Sequence, residues 1–185
     1  MDLTFVVDSK KGGSGYTKKI WKFVKNVISN LDTKNGDIRV RFVHDCIRVP
    51  GLHLKHHRGS KSGLLSALES MRATSKSTAD LMKILTNQLT EPEDNFNTIL
   101  ERKKVGVYVT DGESGELEAT LREAQNAKLG HGIELYGVGV TDDVNTVELQ
   151  AMVSCPVEKH LLLVPNHRKL RGMHKSLARK LCVGE

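Results

Sequence analysis

Short apolar runs alternate with segments of helical periodicity along almost the whole chain. The clearest runs are Leu3 to Val7, Val105 to Thr110 and Ile133 to Val140. Runs of this length without polar alternation are typical of parallel strands that are buried on both faces. Between the runs, apolar residues recur at intervals of three and four, as at Ile20 and Val24, which is the period of a helix packed on a sheet. The pattern therefore predicts an α/β domain.

The predicted fold is doubly wound, with a mostly parallel central sheet of about six strands, one antiparallel edge strand and helices on both faces. The edge strand is assigned to Leu52 and Leu54, which follow Pro50-Gly51 and are expected to form a hairpin with the strand at Ile38 to Phe42. The length of 185 residues suits a single domain over residues 1–185. Because the first strand begins near Leu3, we expect this domain to be excised from a longer protein.

Two carboxylates stand where predicted strands stop. Asp8 ends the first apolar run, and Asp111 ends the run that begins at Val105. In an open parallel sheet, ligands bind in the crevice outside the carboxyl ends of the strands. If the two strands are neighbours, both acids face one crevice.

The chain is basic, with a net charge of +6, and the excess is concentrated in clusters. Acidic partners are therefore favoured, and sulfated polysaccharide is one candidate. Nucleic acid is not expected, because aromatic residues make up only 4% of the chain and none interleaves with the basic residues. A simpler interpretation is that the first lysines only solvate a helix face. The residues predicted to contact a partner are Lys10, Lys11, Lys55, His56, His57, Arg58, Arg168, Lys169, Arg171 and Lys175.

Several other function classes lack their motifs. The loop Gly12 to Gly15 resembles a phosphate loop but continues Tyr16-Thr17 instead of ending in Gly-Lys-Ser/Thr. There is no Gly-x-Ser-x-Gly, His-Glu-x-x-His or Cys-x-x-Cys. No apolar stretch approaches the ~18 residues of a membrane span. We therefore expect neither an enzyme nor a membrane protein.

Four segments together resemble the von Willebrand factor type A family, in its extracellular matrix group with collagen VI and the matrilins. They are Asp2 to Asp8, Val107 to Ser114, Ile133 to Val140 and the closing Leu181-Cys182. The resemblance implies that the Asp8 and Asp111 strands lie side by side at the centre of the sheet. It also implies a secreted, non-enzymatic adhesion or matrix-assembly module that binds collagen-like protein or acidic polysaccharide at the crevice. The alternative is a structural matrix domain with an inactive metal site, which interacts by surface charge.

Members of this family often carry a metal-ion-dependent adhesion site (MIDAS), built from an Asp-x-Ser-x-Ser loop, a threonine and a later aspartate. The resemblance implies Asp8, Ser9, Ser75 and Asp111 as the metal ligands here, for Mg²⁺, Ca²⁺ or Mn²⁺. The match is partial, because the loop after Asp8 is about one residue short and carries lysines.

Three interpretations of the site stay open. Mg²⁺ needs oxygen ligands in near-octahedral geometry, and an ammonium has no lone pair to offer. At ~4 Å and an effective dielectric near 20, two unit charges interact by ~4 kcal/mol, so a nearby lysine repels a divalent ion strongly. Either the lysines turn to solvent and a hydrated ion binds, or Lys10 or Lys11 replaces the cation. In the third interpretation, Asp8 and Asp111 only cap neighbouring loops through backbone N–H groups.

The three cysteines leave at least one without a partner in the chain. If the fold is right, Cys155 and Cys182 lie toward the pole opposite the crevice, so a bond between them is possible, whereas neither is expected to reach Cys46. In related matrix domains the final cysteine often pairs upstream of the first strand. The resemblance thus implies that Cys182 is free here or linked elsewhere in a longer parent.

Overall fold

A computed structural model describes residues 1–10, 14–31, 38–43, 62–63, 65, 68, 76–90 and 102–182. The strands in this part of the chain are β1 (Asp2–Asp8), β2 (Arg39–Val43), β3 (Lys104–Thr110), β4 (Glu134–Val140) and β5 (Leu161–Val164). The helices are α1 (Ser14–Ser29), α2 (Thr78–Thr90), α3 (Leu117–Gln125), α4 (Thr146–Met152), α5 (Val157–His160) and α6 (Leu170–Cys182). A π-helical turn, Asn126–Gly130, continues α3.

The sheet has the order β2-β1-β3-β4-β5, and each neighbouring pair is parallel. This confirms the doubly wound α/β prediction and the central position of β1 beside β3. The predicted strand number and the antiparallel edge differ from the structure, because the described sheet has five strands and all are parallel. Leu52 and Leu54, to which that edge strand was assigned, lie outside the described residues.

Helices cover both faces of the sheet. On one face α1 and α6 pack through residues such as Ile20, Val24 and Leu177. On the other face the helices α2 and α4 pack through residues such as Leu85 and Leu149. All seven residues of β1 are buried, which explains why this strand reads as a continuous apolar run. Each fully buried apolar side chain contributes about 1.5–3 kcal/mol to the free energy of folding, so the two layers hold the central strands firmly.

The strand register positions the two acids. Asp8 is paired with Thr110, so Asp111 stands one residue beyond the end of the β1–β3 ladder. Both acids therefore lie at the carboxyl edge of the sheet, on neighbouring strands. No helix in the described part of the chain is long and apolar enough to cross a membrane.

Candidate functional site

Asp8 ends β1 in a buried position, with 1% of its surface exposed. Its Oδ2 accepts hydrogen bonds from the hydroxyls of Thr78, at 2.7 Å, and Tyr108, at 2.8 Å. Burial, and next the negative charge of Asp8, raise the pKa of Tyr108 well above its ordinary value of 10.0. The tyrosine therefore stays neutral and acts as a hydrogen-bond donor to the carboxylate.

Asp111 is fully buried and receives donors from three directions. Its Oδ1 accepts a hydrogen bond from the backbone N–H of Lys10 at 2.7 Å. Its Oδ2 accepts from the Ser9 hydroxyl at 3.2 Å and lies 3.1 Å from Nε2 of His167. Because a carboxylate only accepts, Nε2 is the ring nitrogen that carries the proton in this contact.

Lys10 connects the two acids. Its Nζ lies 3.1 Å from Oδ1 of Asp8, while its backbone N–H binds Asp111. The stem of Lys10 passes over Gly112, where a Cβ would lie 2.7 Å from the Lys10 Cβ. Only a glycine at position 112 leaves the lysine in this place without a shift. The side chain of Lys10 is 30% exposed, so its neighbours cover most of it while it contacts Asp8.

The structure brings together three of the four predicted metal ligands, namely Asp8, Ser9 and Asp111. Ser75, the fourth, lies outside the described residues. Thr78, three residues further along the chain than Ser75, donates a hydrogen bond from its hydroxyl to Asp8. Among the predicted partner-binding residues, Lys11, Lys55, His56, His57 and Arg58 also lie outside the described part of the chain.

Four residues of the site were missed by the sequence analysis. Tyr108 and Thr78 contact Asp8, His167 contacts Asp111, and the Thr17 hydroxyl lies 3.2 Å from that of Ser9. His167 carried a usable signal, since it follows the end of β5 by three residues and thus stands at the same edge of the sheet as the two acids.

Exposed cations begin beside His167 and continue along the last helix. Arg168, Lys169, Arg171 and Lys175 are all exposed. The first two come directly after His167, whose ring contacts the buried Asp111. We call Arg168 and Lys169 the rim pair.

The donor set does not fit the metal that the family resemblance implies. Each of the four carboxylate oxygens of Asp8 and Asp111 already lies against a donor of the protein. One of those donors is the ammonium of Lys10, which repels a divalent ion and has no lone pair to offer it. In the described residues, no group of three or more His, Cys, Asp or Glu side chains is arranged to hold a metal.

Cys155 and Cys182 are free and exposed. The bond between them that the topology permitted is therefore not formed. Cys46 lies outside the described residues.

Comparison with known proteins identifies the fold and its family. The model of the von Willebrand factor type A domain matches residues 2–176. Among solved structures, proximal thread matrix protein 1 from the mussel byssus, which has a zinc-occupied MIDAS motif, superposes with a TM-score of 0.72. That match has 18% sequence identity and covers 98% of this chain and 45% of the mussel chain, so it shows the fold alone.

Two relatives are matrix proteins of Mus musculus. Matrilin-1 is 29% identical over 98% of this chain and 36% of its own length. The collagen alpha-4(VI) chain is 30% identical over 98% of this chain and 8% of its own length. This chain thus spans about a third of matrilin-1 and a smaller part of the collagen chain. Matrilins and collagen VI are secreted matrix proteins, which confirms the predicted extracellular location. The chain belongs to the von Willebrand factor type A family, in its extracellular matrix group.

Proposed function

We propose that this domain is a non-enzymatic adhesion or matrix-assembly module, which binds a matrix protein such as a collagen, or an acidic polysaccharide, at the crevice. The observation that carries the proposal is the position of the rim pair, which directly follows the residue that contacts Asp111. A partner with negative charge would approach through this positive field before it reaches the crevice. The matrix proteins among the relatives support the non-enzymatic part of the proposal.

The basic surface continues from the rim pair down α6. Arg171, Lys175 and Arg179 recur at four-residue intervals, so they share one face of the helix over about 12 Å. All three are exposed, and the sequence of α6 contains no acidic residue that would neutralise them. Repeated cations of this kind suit a polyanion, whose charges also repeat along a chain.

Surface plasmon resonance on immobilised collagen and heparin tests the proposal. The rim variant Arg168→Gln/Lys169→Gln and the far-end variant Lys175→Gln/Arg179→Gln remove the same charge from the two ends of the basic surface. If the partner enters the crevice, the rim variant loses several-fold more affinity than the far-end variant. The matched control on the opposite face of the sheet is Lys83→Gln/Arg122→Gln, which removes two exposed cations from α2 and α3. An equal loss in the rim and far-end variants contradicts binding at the crevice.

The second candidate is a structural matrix domain with an inactive metal site, which interacts only by surface charge. The ion pair of Lys10 with Asp8 and the continuous basic face of α6 favour this candidate. If this candidate is right, a chelator does not change the affinity, and added salt lowers it steeply. The rim and far-end variants then lose affinity equally. Chelator-sensitive binding to collagen would instead support a metal-dependent adhesion site.

A further inference from the structure

We propose that Lys10 takes the place of a divalent ion at this site, with its ammonium on Asp8 and its backbone N–H on Asp111. The ends of β1 and β3 would then be held together at the crevice without any metal. The inference concerns the internal chemistry of the crevice, and it stands whether the partner is a collagen, a polysaccharide or neither.

A single residue connects the two acids. Lys10 approaches both acids, with its Nζ 3.1 Å from Asp8 and its backbone N–H 2.7 Å from Asp111. A bridging metal ion would link the same two carboxylates. Lys10 thus connects the end of β1 with the end of β3, through its ammonium on one acid and its backbone N–H on the other.

Protein groups also occupy the remaining carboxylate oxygens of the two acids. The other oxygen of Asp8 accepts from Thr78 and Tyr108, and the other oxygen of Asp111 contacts Ser9 and His167. All of these groups are buried, so their hydrogen bonds contribute more than exposed ones would. A metal ion would have to displace the lysine and compete with donors that already satisfy both carboxylates.

The packing around Lys10 also favours its place at the site. Counting from Asp8, Lys10 stands where the Asp-x-Ser-x-Ser pattern has its first serine. Its stem needs more room than a serine does, and the glycine at position 112 provides that room. A lysine whose stem is packed in this way is fixed on the acid, in contrast to a surface lysine that is free to turn to solvent.

Titration of the folded domain with Mn²⁺, Mg²⁺ and Ca²⁺ tests the proposal directly. We expect no saturable heat at millimolar concentrations in calorimetry and no change in Tm on adding the ions or EDTA. Sub-millimolar binding that is lost in Asp8→Ala would overturn the proposal. This measurement uses no matrix partner, so its result is separate from that of the binding experiment on collagen and heparin.

Removal of the ammonium provides the complementary experiment. In Lys10→Ser, which restores the serine of the family pattern, we expect a lower Tm without metal, together with new saturable Mn²⁺ binding that raises the Tm again. The matched control Lys18→Ser, an exposed lysine on α1, should bind no Mn²⁺. The double variant Lys10→Ser/Asp8→Asn should lose the acquired site.

If Lys10→Ser does not fold, Lys10→Gln replaces it, because glutamine has a similar length and offers an amide oxygen. The absence of Mn²⁺ binding in every folded variant without the ammonium would show that Lys10 does not hold the place of the ion, and would overturn the proposal.

Discussion

Nε2 of His167 lies 3.1 Å from Oδ2 of Asp111, so the residue that precedes α6 is anchored on the carboxylate that follows β3. The ring also packs against the aromatic ring of Tyr16 on α1, with 4.6 Å between the centroids. The start of α1, the start of α6 and the end of β3 are thereby connected through one imidazole. This connection places the rim pair beside the crevice.

We predict that His167→Ala lowers the free energy of unfolding by about 1–3 kcal/mol, because it removes a buried hydrogen bond to a charged group. Urea unfolding followed by circular dichroism measures the change. His131→Ala is the control, since His131 is exposed. Equal urea midpoints for the two variants would show that the contact with Asp111 does not stabilise the fold.

The hydroxyl of Thr78 is predicted to stabilise the buried charge of Asp8. Thr78→Val keeps the shape of the side chain but removes the donor, and we expect a loss of about 1.5–3 kcal/mol in unfolding free energy. Thr78→Ser should retain most of the stability. The control Thr86→Val changes another buried threonine of α2, whose hydroxyl only contacts the Met82 carbonyl of its own helix. A loss in Thr86→Val as large as that in Thr78→Val would argue against a special role of the Asp8 contact.

Gly112 is predicted to be required for the position of Lys10. In Gly112→Ala the new methyl group would meet Cβ of Lys10 at 2.7 Å, so one of the two segments must shift. We expect a cost of about 1–3 kcal/mol, which is typical of overpacking. Gly115→Ala is the matched control, because an added Cβ there meets nothing within 4 Å. Thermal unfolding of both variants decides the matter, and an unchanged Tm for Gly112→Ala would refute the packing argument.

Glu134 is predicted to give the protein part of its acid sensitivity. Burial alone would raise the pKa of Glu134, but the hydrogen bond from His160 and the Lys103 ammonium outweigh it, so the pKa lies below its ordinary value of 4.5. The unfolded chain therefore takes up the proton first, and this stabilisation is present above pH 4.5 and lost as the pH falls below it.

Urea unfolding of the wild type and Glu134→Gln over a pH series measures this effect. The wild type should be the more stable protein near neutral pH, and the difference should shrink as the solution is acidified. Glu118→Gln, which removes a carboxylate at an exposed position on α3, is the control. A difference between wild type and Glu134→Gln that stays constant with pH would exclude the proposed linkage.

The sequence predicted the central part of the fold because strands that are buried on both faces consist mainly of apolar residues. The runs that end at Asp8 and Asp111 have no polar alternation, and they form the neighbouring strands β1 and β3. The strand order itself depends on long-range pairing. It came from the family resemblance and could not be obtained from local periodicity.

The candidate site was predicted less completely, for physical reasons. The helical period indicates which face of α2 is buried, but it does not show which hydroxyl between Thr74 and Thr78 contacts Asp8. The contact of Thr78 with Asp8 was therefore not predicted. Tyr108 lies within a run that predicts a buried strand, and nothing in the sequence indicates that its hydroxyl reaches Asp8 from a ring buried on the α2 side of the sheet.

The two ends of the described chain lie at the same pole. Asp2 begins β1 at the amino edge of the sheet, and near the end of α6 the carbonyl of Lys180 accepts a hydrogen bond from Tyr136 in the first half of β4. The length of β1 separates this pole from Asp8 by about 20 Å. Attachment to a sensor chip or a bead through either end of the described chain would therefore turn the crevice outward, and a tag at either position should not obstruct access to it.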